Sequence, residues 1–342
     1  MNGASKNSQT HPGVSPVPPV TSLSTSLQPL PRPLGLPPYH YSLAAHCPEL
    51  AAKIEHAGKM VFHVLGDSGG IQDGRFQNFV AARMIADLSP GYEEAPAFCY
   101  HVGDVVYTTG RRVNYYEQFY RPYFHYPAPI FSIPGNHDGE LKESTLGHTL
   151  EGWTACFMQP VPVVDPISQD APRQGLNLPN VYWTLVTPFA VIVGLYTNVP
   201  EHGSIDSLQQ QWLNHEFATA PRDRALILAL HHPIYSFDDG HGGSSRMADV
   251  LENAIRETGR VPNLVLSGHV HAYQRIEQTI APDVATPFDC HGQRRLSQSP
   301  PYLRGTRRRG LGYRCGLAAQ RRGLLGISEA DGGRGNHHRW HG

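Results

Sequence analysis

Five short apolar runs in this chain each end in a cluster of polar residues, and that repetition constrains the fold more than any other feature. The clusters are GDSGG (66–70), GDVVY (103–107), PGNHD (134–138), HHPIYS (231–236) and SGHVH (267–271). The runs before them are Met60–Leu65, Ala97–Val102, Pro129–Ile133, Ala225–Leu230 and Leu264–Leu266, with two more at Val181–Val186 and Phe189–Tyr196. They are apolar throughout rather than alternating, the pattern of strands covered on both faces. Helical patterns lie between them at Phe76–Leu88, Ile205–Ala218 and Arg246–Thr258, with Asp206 and Ser244/Ser245 as helix-start residues. Strands alternating with helices predict an α/β layered fold. Active sites of such sheets collect just beyond the carboxyl ends of the strands, where all five clusters fall.

Composition divides the chain into three parts. Residues 1–40 are rich in Pro, Ser and Thr without periodicity and are expected to be a disordered lead-in; residues 41–290 carry the motifs and form the catalytic domain. Residues 291–342 hold 11 of the 24 arginines and only two acids, a surplus of about +9 that leaves about −10 on the rest. That tail is expected to be irregular, and it reads as disordered, as a basic arm for anions, or as the product of a frameshift. An acidic body suits bound metal cations and argues against nucleic acid as a partner. The longest apolar run is eight residues (189–196), well short of the ~18 that a membrane span needs. With no signal-peptide core near Met1, the expected residence is cytoplasmic. The five cysteines are scattered without a CxxC pair, which argues against a disulfide framework or a thiolate zinc site. Cys99, inside an apolar run, reads as a small buried hydrophobe. The aromatic stretch Arg111–Tyr126 reads as a half-buried helix rather than a base-stacking surface.

The clusters supply carboxylates, an amide, imidazoles and a phenol: Asp67, Asp104, Asn136, His231, His269 and His271, with Tyr107 as a seventh. These groups suit hard and borderline metals. Taken singly, each has an innocent explanation. Gly-Asp after a strand is often a turn, Asn136 in PGN is turn chemistry, and a lone histidine is more often a satisfied core residue. Together they exceed what one tetrahedral ion can use, so two metals bridged by a carboxylate are the natural inference.

The ordered set Asp, GDxxY, GNHD, H-x-P and GHxH resembles the calcineurin-like metallophosphoesterase superfamily, and the match spans residues 61–275. Gly69 stands where the superfamily has a histidine ligand, Tyr107 completes GDxxY, and the last motif continues as GHVHAYQR (268–275). In these respects the chain is similar to purple acid phosphatases. The resemblance implies a layered β-sandwich of two mixed sheets flanked by helices. It implies one metal, Fe(III), on Asp67, Asp104, Tyr107 and His271. It implies a second, divalent Fe, Zn or Mn, on Asp104, Asn136, His231 and His269, with Asp104 bridging. His231 is preferred over His232 because the family's ligand lies two residues before the proline, here Pro233.

The implied activity is hydrolysis of small phosphate esters, with a monoesterase favoured over a phosphodiesterase or a non-catalytic scaffold. His137 is the first candidate for stabilising the transition state or protonating the leaving group, Asp138 is expected to orient it, and His241 in DDGHGGSS is the second candidate acid. Family members usually continue past GHxH with strands that close the second sheet. Residues 276–290 can begin such a strand, but the tail is not expected to complete it.

Overall fold

The computed structural model describes residues 29–70, 74–89, 94–140, 148–197, 203–281 and 284–292, together with the backbone of residues 313–319 and 325–328. All seven predicted strands form, as β2 (Lys59–Leu65), β3 (Cys99–His101), β4 (Ile130–Ser132), β5 (Trp183–Val186), β6 (Ala190–Gly194), β7 (Ala225–Ala229) and β8 (Leu264–Ser267). To these are added β1 (His40–Ser42), β9 (Tyr273–Ala281), β10 (Val284–His291), β11 (Tyr313–Ala319) and β12 (Leu325–Ser328). The helices are α1 (Leu43–His46), α2 (Pro48–Ala57), α3 (Gly74–Ala86), α4 (Asn136–Gly139), α5 (Glu151–Phe157), α6 (Ser207–Thr219) and α7 (Ser245–Thr258). Asp206 and Ser244 cap α6 and α7, each side chain accepting a backbone N–H from the first turn.

Two mixed sheets result. The larger runs β1-β5-β6-β7-β8-β10-β9, with β6, β7, β8 and β10 parallel; the smaller runs β12-β11-β2-β3-β4, with β2, β3 and β4 parallel. The two-residue period of the strands explains the layering. In the large sheet Ile192, Ile227 and Leu266 point into one core with Phe62, Tyr100 and Phe131 of the small sheet. Their neighbours Val193, Leu228 and Val265 point the other way, into a second core with Trp212 and Phe217 of α6 and Leu251 of α7. Trp183 fastens the sheets together: it stacks on Tyr100 at 6.0 Å, meets Phe131 at 6.1 Å, and donates its indole N–H to Ser132 O at 3.0 Å. Both faces of the central strands β6, β7 and β8 are therefore dry, which is why those strands lack alternation.

Three expectations need correction. Residues 29–39 are not a free lead-in: Leu34 N–H bonds Pro179 O, Trp212 donates to Pro38 O, and β1 then pairs with β5. Residues 1–28 lie outside the described part. The tail is not wholly irregular either, since β11 pairs antiparallel with β2 and β12 with β11, closing the second sheet. Backbone pairing on an open strand edge needs no hydrophobic period, so this had no pattern to read. Finally, 111–126 is not one helix. It makes a 3-10 turn at Arg112–Asn114 and a wide π-type turn at Tyr116–Tyr120, then irregular turns to Tyr126. Pro122 removes an N–H and restricts Arg121, and the ring set Tyr115, Phe119, Tyr120, Tyr123 and Tyr126 is buried on more than one side.

Candidate metal centre

The five clusters meet in one place, at the carboxyl ends of β2, β3, β4, β7 and β8. The backbone there is strained. Asp67, Asp104, His269 and His271 all adopt left-handed conformations, with φ of 54°, 55°, 72° and 50°. For non-glycine residues such conformations cost about 1–3 kcal/mol each and persist where the surroundings enforce them. Gly103, at φ 98°, cannot be replaced without collision: a Cβ there would lie 2.6 Å from Gly135 N and 2.7 Å from His231 Nδ1.

The donor atoms sort into two triads. In the first, Tyr107 Oη lies 3.1 Å from Asp67 Oδ1 and 2.9 Å from His271 Nε2, and the last two are 3.6 Å apart. In the second, Asn136 Oδ1 lies 3.0 Å from His231 Nε2 and 3.1 Å from His269 Nδ1. Asp104 adjoins both, its Oδ2 3.4 Å from His231 Nε2, while donor atoms of Asp67, Asp104 and His231 fall within 4.8 Å of one another. Donor spacings of about 3 Å match the edge of a polyhedron with metal–ligand bonds near 2.1 Å.

The chemistry of these donors fits cations. His231 Nδ1 lies 2.9 Å from Val102 O, which can only accept, so in the neutral ring this nitrogen carries the proton and Nε2 is the one that can offer a lone pair to a cation. That lone pair converges with Asn136 Oδ1 and with Asp104 Oδ2, which is buried without a hydrogen-bond partner. Both carboxylates are fully enclosed. Burial pushes the Asp67 carboxyl up to about 7, against the pull of His231 and with the Asp104 charge adding to it. Burial also works against ionised Asp104, but His231, His137 and His269 hold it well below the usual carboxylate range. His231 is raised to about 9 despite burial, because Asp104 and Asp67 favour its cation. The two enclosed carboxylates thus favour positive charge at this point.

His137 and His241 flank the triads. His137 takes Asp104 Oδ1 on its backbone N–H at 2.9 Å, and its ring lies 4.5 Å from that of Tyr107. The His241 ring lies 5.0 Å from His269 and 5.3 Å from His271. Asp138 does not orient His137, contrary to expectation. Its carboxylate turns inward to accept N–H bonds from Gly135, Val105 and Val106 and the hydroxyl of Tyr115, tying the β4 loop to the β3 loop. Burial raises it to about 6. His137 Nδ1 instead faces Thr108 O at 3.1 Å and Glu140 at 2.9 Å. Burial opposes its cation, but Glu140 and Asp104 outweigh burial and raise its pKa. His232 turns aside to Thr197 Oγ1 at 2.7 Å, leaving His231 beside Asn136.

Gln118 plays a part that sequence reasoning missed. Its side-chain amide accepts from Tyr107 N–H at 2.8 Å and donates to Tyr107 O at 2.6 Å, gripping the tyrosine's backbone on both sides. It comes from the π-type turn, and nothing in its local sequence marks it. Gly69 completes the arrangement. A Cβ at that position would lie 2.7 Å from both Tyr107 Cδ2 and Gln118 Oε1, so no side chain fits while Tyr107 and Gln118 are there.

A family model described as calcineurin-like phosphoesterase matches residues 60–273. Among curated proteins, the chain is 25% identical over 154 residues to purple acid phosphatase 22 of Arabidopsis thaliana, covering 44% of this chain and 32% of that protein. It is 26% identical over 181 residues to the 3',5'-cyclic adenosine monophosphate phosphodiesterase CpdA of Escherichia coli K12, covering 51% of this chain and 55% of that protein. The matched part thus spans about a third and about half of these two relatives. A solved structure titled as GAP50, the anchor in the inner membrane complex of Plasmodium, shares the fold at 15% identity and a TM-score of 0.50, covering 81% of this chain and 86% of that one. Among the described residues no helix is long and apolar enough to cross a membrane.

Proposed function

Because the chain belongs to the calcineurin-like phosphoesterase family, whose activity is hydrolysis of phosphate esters, we propose that it is a two-metal phosphomonoesterase of the purple acid phosphatase type. The observation that carries this reading is the pair of donor triads joined at Asp104, one of them containing Tyr107. In this reading Asp67, Asp104, Tyr107 and His271 hold Fe(III), because a phenolate favours a hard, highly charged ion. Asp104, Asn136, His231 and His269 hold a divalent Fe, Zn or Mn. When bound, the ions supply charge neutralisation for the phosphoryl group and a lowered pKa for water.

The chain's own residues supply the rest. His137, raised in pKa and fixed through Nδ1 by Glu140 and Thr108 O, presents its other edge as a proton donor to the leaving oxygen. His241, beside His269 and His271, is the alternative donor from the opposite loop. Asp138 acts at one remove, keeping Gly135, Val105 and Val106 in register so that Asp104 and Asn136 face each other.

The likeness to a cyclic-nucleotide phosphodiesterase favours a second reading, in which the same centre cleaves diesters. Assay of the metal-loaded protein with p-nitrophenyl phosphate and bis-p-nitrophenyl phosphate separates the two. Faster monoester turnover is expected, and faster diester turnover would sink the first reading. A visible tyrosinate–Fe(III) band tests the metal assignment independently of turnover.

A further inference from the structure

Strand β4 has two ends. Its carboxyl end carries Asn136 and the metal centre. At its amino end lies a cavity of about 580 Å³, within the range of ~300–1,000 Å³ typical of small-molecule sites. It is bounded by the turns from Phe119 to Ile130, the end of α5 and the loop 172–176. The walls are formed largely by Phe119, Tyr120, Phe124, Tyr126, Phe157 and Leu176, with His125 and Gln174 at their polar part, and one permanent cation, Arg173, borders the space.

Arg173 is well occupied on its terminal nitrogens and unfinished elsewhere. Nη1 donates to Ala128 O at 3.3 Å, and Nη2 donates to Tyr123 O at 3.3 Å and Tyr126 O at 2.5 Å. Its Nε is buried with no hydrogen-bond partner. No carboxylate pairs with it among the described residues. The titratable groups near enough to act on its charge are Tyr126, Cys99 and Tyr120, and burial raises all three so that they stay neutral. Burial also lowers Arg173 below its ordinary value, yet a guanidinium does not give up its proton in a protein. Arg173 is partly buried, and a charge in such a place is ordinarily paired, because removing it from water without a partner costs free energy. Gathering three carbonyls explains the bonds Arg173 makes. It does not explain the unpartnered Nε, the missing counter-charge or the space beside them.

We propose that this cavity is a binding site for a small organic monoanion, a carboxylate carried on an aromatic or aliphatic body, with Arg173 receiving the carboxylate. The charge selects the class. One guanidinium balances one negative charge, whereas a phosphate dianion would bring a second charge against these largely aromatic walls without a partner. The aromatic walls suit a flat or hydrocarbon body and offer few polar groups to a sugar or a nucleotide. The site is separate from the metal centre, so the proposal does not depend on the reaction assigned there.

The test is calorimetric titration of the metal-loaded full chain with phenylacetate, phenylacetamide and inorganic phosphate. Phenylacetate is expected to bind at least ten times more tightly than its neutral amide. Saturating inorganic phosphate, which addresses the metal centre, is expected not to displace it. Arg173→Gln is expected to weaken binding at least tenfold. Should that variant fail to fold, Ala128→Phe decides, because it fills the cavity while keeping the carbonyl of residue 128, and binding is expected to vanish. No binding of phenylacetate at millimolar concentration, equal binding of acid and amide, displacement by phosphate, or undiminished binding in Ala128→Phe would each overturn the proposal.

Discussion

The two donor triads are held by different means. On the amide side, each donor sits on or beside a strand end and is set by a short bond to a neighbouring strand's loop: His231 through Val102 O, Asn136 between two imidazoles. On the tyrosine side, the key donor, Tyr107, lies three residues beyond Asp104, off the sheet. It owes its position to a glutamine from an irregular turn and to the missing side chain at position 69. The amide side inherits its rigidity from the sheet. The tyrosine side has rigidity supplied by side chains, and it is the more vulnerable to single substitutions outside the ligand set.

The largest expected effect is common to both sides. Asp104→Ala should lower kcat/KM by ~10³-fold or more, about 4 kcal/mol of transition-state stabilisation, and reduce bound metal from two ions toward none by elemental analysis. Next, Asn136→Ala and Tyr107→Phe should each reduce the metal content to one ion, with turnover down by ~10²–10³-fold, about 3–4 kcal/mol. Only Tyr107→Phe should also abolish the visible band; equal loss of colour in both variants would erase the distinction between the sides. A smaller effect tests the claim about support. Gln118→Leu should weaken metal affinity by ~10–100-fold, as losses behind a ligand usually do, and should do so for the coloured ion alone. If both ions weaken equally, the glutamine serves the fold and not the tyrosine.

Acidification probes what lies beneath the tyrosine side. His101 accepts Gly103 N–H on Nδ1 at 3.2 Å and bonds Ser68 Oγ through Nε2 at 2.8 Å, so its neutral ring is fully used. Burial, against the pull of Asp104, lowers its pKa to about 3. An unfolded histidine takes up its proton near pH 6.5, so between about pH 6.5 and 3 the unfolded state holds more protons than the folded one. Stability therefore falls as pH drops through that window, by about 1.4 kcal/mol per unit from this residue. Thermal melts of His101→Gln across the same range should show a shallower decline than the parent; parallel curves would remove His101 from the account.

The same contrast explains what could be read from the chain. The seven strands, the capped helices α6 and α7, and the convergence of the five polar clusters were legible because each is a local pattern: an apolar run, a cap, a polar strand end. Asp138 was placed in the site but given the wrong partner, because adjacency to His137 in sequence says little about which way a carboxylate turns on a four-residue helix. Gln118, Glu140 and Arg173 left no signal. For Gln118 and Arg173 the meaning depends on backbone atoms or empty space brought near by turns that Pro122 and a run of buried rings make irregular; for Glu140 it depends on which way His137 turns its ring. The strands β1 and β11 were missed for a related reason, since short edge pairings are made by backbone groups that every residue carries.

The crowding at Gly69 has a consequence for how such a centre can change over time. A histidine introduced there collides with Tyr107, and removing the Tyr107 hydroxyl alone leaves the first triad one donor short. Under the proposed ligand assignment the two positions form a linked pair, and either single step is expected to lose function before the second restores it. A lineage passing between a tyrosine ligand and a histidine ligand must cross that gap, and a double-mutant cycle on Gly69→His and Tyr107→Phe would measure its depth.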